Sequence, residues 1–225
     1  MQLCVGWTHQ AVRYEPTGPS RGCVCVGGFT PDGRTVVTAG GETDGSIRVW
    51  DPKSGDCTAT VLAGHNGHSE TGITCLAFGA DSSIVATGGV AGEIVISNIA
   101  NGKPVARFAE HTDSVEGIAF ANGLQLLVSV SMDGTAVVWD TAARVRRGTR
   151  KHPAGVVAVA MQHKGPLFAT ACLDGAVRVL DVRDAQEIHV FGGHQAAVQA
   201  VDWAPDDVRI LAGGDDCTAR IFKCS

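Results

Sequence analysis

The sequence predicts an all-β protein, a propeller of four-stranded antiparallel blades. Short apolar runs are joined by Asp-Gly and similar turns, a hairpin signal because such turns need φ > 0 and Gly supplies it cheaply. The hairpins recur. Their last bulky residues are Trp50, Ser97, Trp139, Leu180 and Phe222, spaced 47, 42, 41 and 42 residues apart, the period of a four-stranded propeller blade. Glycine makes up 29 of 225 residues, many at corresponding turn positions, with no collagen-like triplet behind them.

The clearest unit contains the stretch 127–140, L-V-S-V-S-M-D-G-T-A-V-V-W-D, where runs 126–130 and 135–139 flank Met132-Asp133-Gly134. Glu110-His111 lies about twenty residues upstream, ahead of a further run at 115–120. The first unit reads as strands 23–29, 35–40, 46–51 and 57–63, with turns at Thr30-Pro31-Asp32-Gly33 and 41–45. The second reads as 73–78, 84–88, 93–98 and 104–109, and the third as 115–120, 126–130, 135–140 and 144–149. The fourth is 156–161, 167–171, 176–181 and 187–191; the fifth is 198–203, 209–213 and 218–222. Blade boundaries follow at 21–64, 65–110, 111–151, 152–193 and 194–225. Trp7 lies one period before Trp50, so 2–7 reads as a third strand and 11–15 as a fourth, making 1–20 the remnant of an upstream blade and its connector. This organisation predicts the C-terminal part of a longer propeller. The alternative is a five-bladed ring closed by 11–15.

Composition narrows the function. With 44% hydrophobic and 18% charged residues the chain is not a disordered one. A net charge of −5 argues against a broad nucleic-acid-binding face. No signal-peptide pattern and no membrane-spanning run is present, so a cytoplasmic protein, with the nucleus also open to it, is expected. The eight cysteines sit mostly inside apolar runs and read as buried thiols. There is no C-x-x-C and no phosphate loop, and His65, His68 and Glu70 read as a solvated loop, so no metal and no cofactor is predicted. The basic segment Arg144, Arg146, Arg147, Arg150 and Lys151 reads as a charged edge, on an outer strand and the loop after it, that resists aggregation.

His111, Ser129, Asp133 and Trp139 need a separate account. Ser, His and Asp converging in space would suggest a nucleophilic triad. No G-x-S-x-G element or comparable oxyanion hole accompanies them.

Gly64-His65, Gly193-His194, the Asp-Gly turns, Trp50-Asp51 and Trp139-Asp140 together resemble the WD40 repeat family over nearly the whole chain. Within it, G-H-S-E-T-G-I-T-C-L-A at 67–77 and D-D-C-T-A-R-I-F at 215–222 resemble the angio-associated migratory cell protein group. The family resemblance implies that His111, Asp133, Ser129 and the Trp139 indole form a hydrogen-bonded chain that stabilises the blade. The first unit keeps Thr38, Asp44 and Trp50; the second keeps Thr87, with Ala91 and Ser97 at the other places. The fourth keeps His152, Thr170 and Asp174 with Leu180; the fifth keeps His194 and Asp216 with Ala212 and Phe222.

The resemblance also implies a non-enzymatic scaffold that binds proteins on its top face, through a rim of Thr74, Val90, Ser114, Glu116, Met132, Val157, Leu173, Gln199 and Asp215. Acidic members of that rim favour a basic peptide. The angio-associated group implies additional blades upstream. It also implies kinship with a chaperone that holds the basic N-terminal segment of a large-subunit ribosomal protein. The alternative function is a stable subunit or substrate adaptor of a larger assembly, such as a ubiquitin ligase or an RNA-processing complex.

Overall fold

A computed structural model describes residues 24–40, 45–62 and 72–224. Within them lie nineteen strands in five antiparallel sheets, each sheet in simple chain order. The first holds β1 (Val24–Phe29), β2 (Val36–Gly40), β3 (Ser46–Trp50) and β4 (Cys57–Leu62). The second holds β5 (Ile73–Phe78), β6 (Ile84–Gly89), β7 (Ile94–Asn98) and β8 (Lys103–Phe108). The third holds β9 (Val115–Phe120), β10 (Leu126–Ser131), β11 (Thr135–Asp140) and β12 (Val145–Lys151). The fourth holds β13 (Val156–Met161), β14 (Leu167–Cys172), β15 (Val177–Asp181) and β16 (Glu187–Phe191). The fifth has three described strands, β17 (Val198–Trp203), β18 (Arg209–Gly214) and β19 (Ala219–Lys223).

Among the described residues every expected strand is there, with ends shifted by a residue or so. The largest shift is in β12, which runs on to Lys151, so Arg150 and Lys151 belong to the strand and not to the loop after it. The readings for 1–20, Asp44, Gly64-His65, His68 and Glu70 fall outside the described residues.

The core lies between sheets. Val37, Ala39, Ile47, Val49 and Val61 of the first blade meet Ile73, Val85 and Ile99 of the second. Phe108, Ile94 and Ile96 of the second meet Val115, Leu127, Val137 and Trp139 of the third. Val128, Val130 and Val138 then meet Val156, Phe168 and Leu180, and Ala169, Val177 and Val179 meet Val198, Trp203 and Ile210. Strand period two puts alternate residues on opposite faces, so each middle blade contributes to two cores. At the far face of the fifth sheet Leu211 and Ile221 are exposed, as are Val24 and Phe29 in the first. The cysteines divide: Cys75 and Cys172 are buried as expected, but Cys57 and Cys217 are exposed, on an outer strand and a turn tip. Burial pushes the Cys75 thiol up to about 12, which keeps it protonated and inert.

Turns at the bottom of the wheel stitch neighbours together. The Asp32 amide donates to Ser82 Oγ at 3.1 Å, between the first two blades. Asn122 Nδ2 donates to the Gln162 and His163 carbonyls. Asp207, at φ 56°, accepts the His163 amide at 2.7 Å and the Lys164 amide at 2.8 Å. Asp tolerates this left-handed conformation better than most residues, and a carboxylate satisfies two donors at once.

Asp207→Ala is therefore expected to lower stability by about 1–3 kcal/mol. The readout is a lower urea midpoint at unchanged slope. Asp207→Asn, which keeps an acceptor and the backbone tolerance, is expected to lose less.

Candidate docking rim and the buried network beside it

The top of the wheel is built from two repeating devices. The first is a bulge near the start of each innermost strand. Ile73 pairs with Gly89 and Cys75 with Gly88, leaving Thr74 as the extra residue. The same slip leaves Glu116 extra in β9, Val157 in β13 and Gln199 in β17. A bulge bends the strand and re-aims the side chain it frees.

The second device pins the hairpin turn to the residue ahead of the innermost strand. Val90 N donates to Gly72 O at 3.0 Å, Met132 N to Ser114 O at 3.0 Å, Leu173 N to Gly155 O at 2.9 Å and Asp215 N to Ala197 O at 2.8 Å. The turn itself is made possible by glycines such as Gly134, at φ 79°. All nine rim residues expected from the sequence are thus brought to one end. Four are bulges, four are turn donors, and Ser114 supplies one of the acceptor carbonyls. They are not equally available. Thr74 Oγ1 donates across the blade boundary to the Val115 carbonyl and also lies 3.1 Å from Gly88 O, so its hydroxyl is committed to the fold. Gln199 Nε2 donates to Asp215 Oδ2 at 2.8 Å. Met132 is 38% exposed, unusual for so apolar a side chain.

The network beside the rim has the expected form in the third blade. His111 Nδ1 lies 3.0 Å from Asp133 Oδ2, and His111 Nε2 lies 2.7 Å from Ser129 Oγ. The Trp139 indole donates to the same Ser129 Oγ at 2.8 Å. An indole N–H only donates, so Ser129 accepts from Trp139 and passes its own proton toward His111 Nε2. His111 Nδ1 then donates to Asp133. Burial would raise the Asp133 pKa, but hydrogen bonds from Thr135, the Thr112 amide and His111 outweigh it and hold the pKa below the usual value. Ser129 is fully buried, with its oxygen held on both sides. Its hydroxyl is enclosed between the imidazole and the indole.

The other blades depart from this pattern where the sequence does. In the first, the Trp50 indole donates to Thr38 Oγ1 at 2.9 Å. In the second, Thr87 turns its hydroxyl to the Val95 carbonyl at 3.3 Å. In the fifth, His194 Nδ1 meets Asp216 at 3.0 Å, but Ala212 and Phe222 offer Nε2 nothing, and it has no hydrogen-bond partner. Phe222 packs against the imidazole edge instead, 6.4 Å between centroids.

The fourth blade corrects the expectation. His152 Nε2 reaches Thr170 Oγ1 at 3.1 Å, but Asp174 turns away from His152 and grips Arg178 with both oxygens, at 2.6 and 3.1 Å. Arg178 is nearly buried, and Glu187 lies 3.6 Å from its Nε while accepting Arg150 at 3.0 Å. A guanidinium between two carboxylates attracts Asp174 more strongly than a neutral imidazole does. Burial would raise the Asp174 pKa, but Arg178 outweighs it and holds it at about 2. Burial, and then the Arg178 charge, push His152 down to about 4. The signal missed in the sequence was an arginine in the middle of the marker strand, where the third blade has Val137.

The basic segment is largely paired. Arg146 meets Glu110 at 2.6 Å, Arg147 meets Asp140 at 3.6 Å and Arg150 meets Glu187. This fits a charged edge better than an open anion site. The described residues hold no group of three or more His, Cys, Asp or Glu placed to bind a metal ion. A hollow of about 390 Å³ at the opposite end, between the first two blades, is lined by Asp32 and Asp81, whose carboxylates are occupied by the Thr30 and Ser83 hydroxyls. No described helix is long and apolar enough to cross a membrane.

The family profile described as "WD domain, G-beta repeat" matches residues 12–51, 55–96, 102–140, 145–181 and 185–223. The chain belongs to the WD40 family. Among curated WD40 relatives, an uncharacterized WD repeat-containing protein of Schizosaccharomyces pombe is 29% identical over 95% of this chain and 54% of its own length. The human angio-associated migratory cell protein is 29% identical over 91% of the chain and 50% of its own length. The chain thus spans about half the length of the curated relatives it matches. Two solved structures share the WD40 propeller. "Structure of U3-55K" aligns with TM-score 0.78 at 26% identity, covering 91% of this chain and 62% of that one. "Crystal structure of RRP9 WD40 repeats" aligns with TM-score 0.79 at 27% identity, covering 91% and 61%.

Ser129→Ala is expected to destabilise the fold by about 1–3 kcal/mol for each buried group it orphans, the His111 imidazole and the Trp139 indole. His111→Ala, which removes one member of the chain, is expected to cost about 1–3 kcal/mol. Urea midpoints of the two variants against wild type check this.

His152 predicts a pH dependence. Its folded pKa lies below the ordinary histidine value of 6.5, so the unfolded chain binds the extra proton between pH 6.5 and about 4. Stability is full above that window and falls through it as pH drops, by up to about 1.4 kcal/mol per pH unit. His152→Asn is expected to flatten the dependence of the urea midpoint on pH across the window.

Proposed function

We propose that this chain is a non-enzymatic docking platform whose top rim receives a basic segment of another protein. The observation that carries the reading is the composition of the rim. Apolar Val90, Met132, Val157 and Leu173 are interleaved with acidic Asp113, Glu116 and Asp215, all at the end where bulges and pinned turns converge. Apolar side chains at turn tips are solvated at a cost unless a partner covers them. Carboxylates beside them favour lysine and arginine and repel acidic competitors. The resemblance to the angio-associated migratory cell protein group favours a ribosomal protein of the large subunit as the source of that segment, with this chain acting as its chaperone in the cytoplasm and nucleus.

Reversing the rim charge tests the reading. The double variant Glu116→Lys, Asp215→Lys alters exposed and half-exposed positions, so its thermal midpoint is expected to match wild type. In a pull-down from cell extract, wild type is expected to retain one predominant basic ribosomal protein. The double variant is expected to retain about tenfold less, each exposed charge contributing up to about 1 kcal/mol. Equal recovery by both would refute the rim as the docking surface. A large stoichiometric set on wild type would favour a stable subunit of an assembly.

A further inference from the structure

We infer that Thr149, on the outermost strand of the third blade, is a modification site. It is a phosphoacceptor for an arginine-directed protein kinase, and its phosphate seats between Arg146 and Lys151. The site is remote from the rim and independent of the docking reading.

The sequence context singles this hydroxyl out. Thr149 follows Arg146-Arg147-Gly148, and of all the serines and threonines in the chain it alone has arginine at both the second and the third place before it. A kinase selects among chemically similar hydroxyls by the charge pattern around them. Two guanidiniums at these places suit a kinase whose peptide groove is lined by carboxylates. Access agrees. β12 ends its sheet, paired with β11 on one side only. Thr149 is exposed, and its hydroxyl has no hydrogen-bond partner among the described residues. Ser129 and Ser131, on β10 of the same blade, are fully buried. The backbone of β12 is already extended, so the acceptor can be presented without unfolding the blade.

Register decides which charges meet the phosphate. Trp139 pairs with Arg146, Val137 with Thr149 and Thr135 with Lys151, and Arg147 is the extra residue of a bulge. Alternate residues of a strand share a face. Arg146, Thr149 and Lys151 therefore share the face that Val137 and Trp139 turn toward the second blade. Arg150, opposite Ala136, is on the other face with Glu187. On the Thr149 face Arg146 meets Glu110 at 2.6 Å, an exposed pair, while Lys151 has no ion-pair partner among the described residues.

The donor is a nucleoside triphosphate bound by the kinase. Thr149 Oγ1 forms the new bond to the γ-phosphorus as its proton leaves, the bond from that phosphorus to the β–γ bridging oxygen breaks, and the diphosphate departs. The product carries about two negative charges at pH 7 and three acceptor oxygens. It competes with the single charge of Glu110 for Arg146 and gives Lys151 the anion it lacks.

The test is labelling of the whole folded chain by a purified kinase of this specificity with ATP, mapped by peptide mass spectrometry. One phosphate on Thr149 is expected. Thr149→Ser is expected to keep it, and Thr149→Val, at an exposed position, to abolish it. Asp207→Ala, which raises the unfolded population, is expected to be labelled at the wild-type rate. Label that persists in Thr149→Val, or no label on the folded chain, overturns the site. So does a rate that rises about tenfold in Asp207→Ala, since the kinase then reads only unfolded chain. Phosphorus NMR reads the seat. The second ionisation of a free phosphothreonine has its midpoint at about pH 6. On Thr149 it is expected about half a pH unit lower, and to return toward the free value in Lys151→Gln, because a nearby cation favours the dianion. An unchanged midpoint in that variant overturns the seat.

Discussion

The burial of two faces by one sheet is the constraint on which this molecule depends. Middle strands such as β10, β11, β14 and β15 send alternate residues into two different cores, so no blade has a core of its own. Val137 and Trp139 face the second blade, and Val138 faces the fourth. An isolated sheet would expose one or both of these sets to water, at about 25 cal/mol for each Å² of apolar surface left uncovered. Stability in such an array is a sum over junctions, and the fold is held by contacts between neighbours more than by anything inside a blade.

Polar chemistry within the blades is arranged around that apolar frame. The third blade satisfies every buried polar group of its His–Ser–Trp–Asp chain. The fifth replaces serine and tryptophan by Ala212 and Phe222, and ring packing on His194 takes the place of the missing hydrogen bonds. The fourth goes further, exchanging the His–Asp link for an Arg178 clamp that joins Asp174, Glu187 and, through Glu187, Arg150 of the neighbouring blade. One backbone thus supports three solutions. The strand ladder and the intersheet packing fix the geometry, and the side chains need only leave few buried groups unpaired.

The same regularity creates the rim. A bulge placed at one register in successive innermost strands turns Thr74, Glu116, Val157 and Gln199 toward the same end, and four equivalent amide–carbonyl bonds hold the hairpin tips beside them. Because backbone sets these positions, the side chains other than Thr74 can vary without loss of fold. That freedom lets neighbouring blades present Glu116, Met132 and Leu173 as one mixed surface.

Sequence alone determined the repeat and the strand order, and family correspondence supplied the members of the buried network. A period of about 42 residues, Asp-Gly turns and alternating apolar runs are local signals, and local signals survive in one dimension. Recognition of the rim came from family correspondence, which is positional and also linear. Tertiary structure decided the rest: the bulges that aim the rim, the commitment of Thr74 to its neighbour, and the turning of Asp174 from His152 to Arg178. Each depends on which residues from separate blades come within a few ångströms of one another. No spacing along the chain encodes that distance, because packing between sheets sets it.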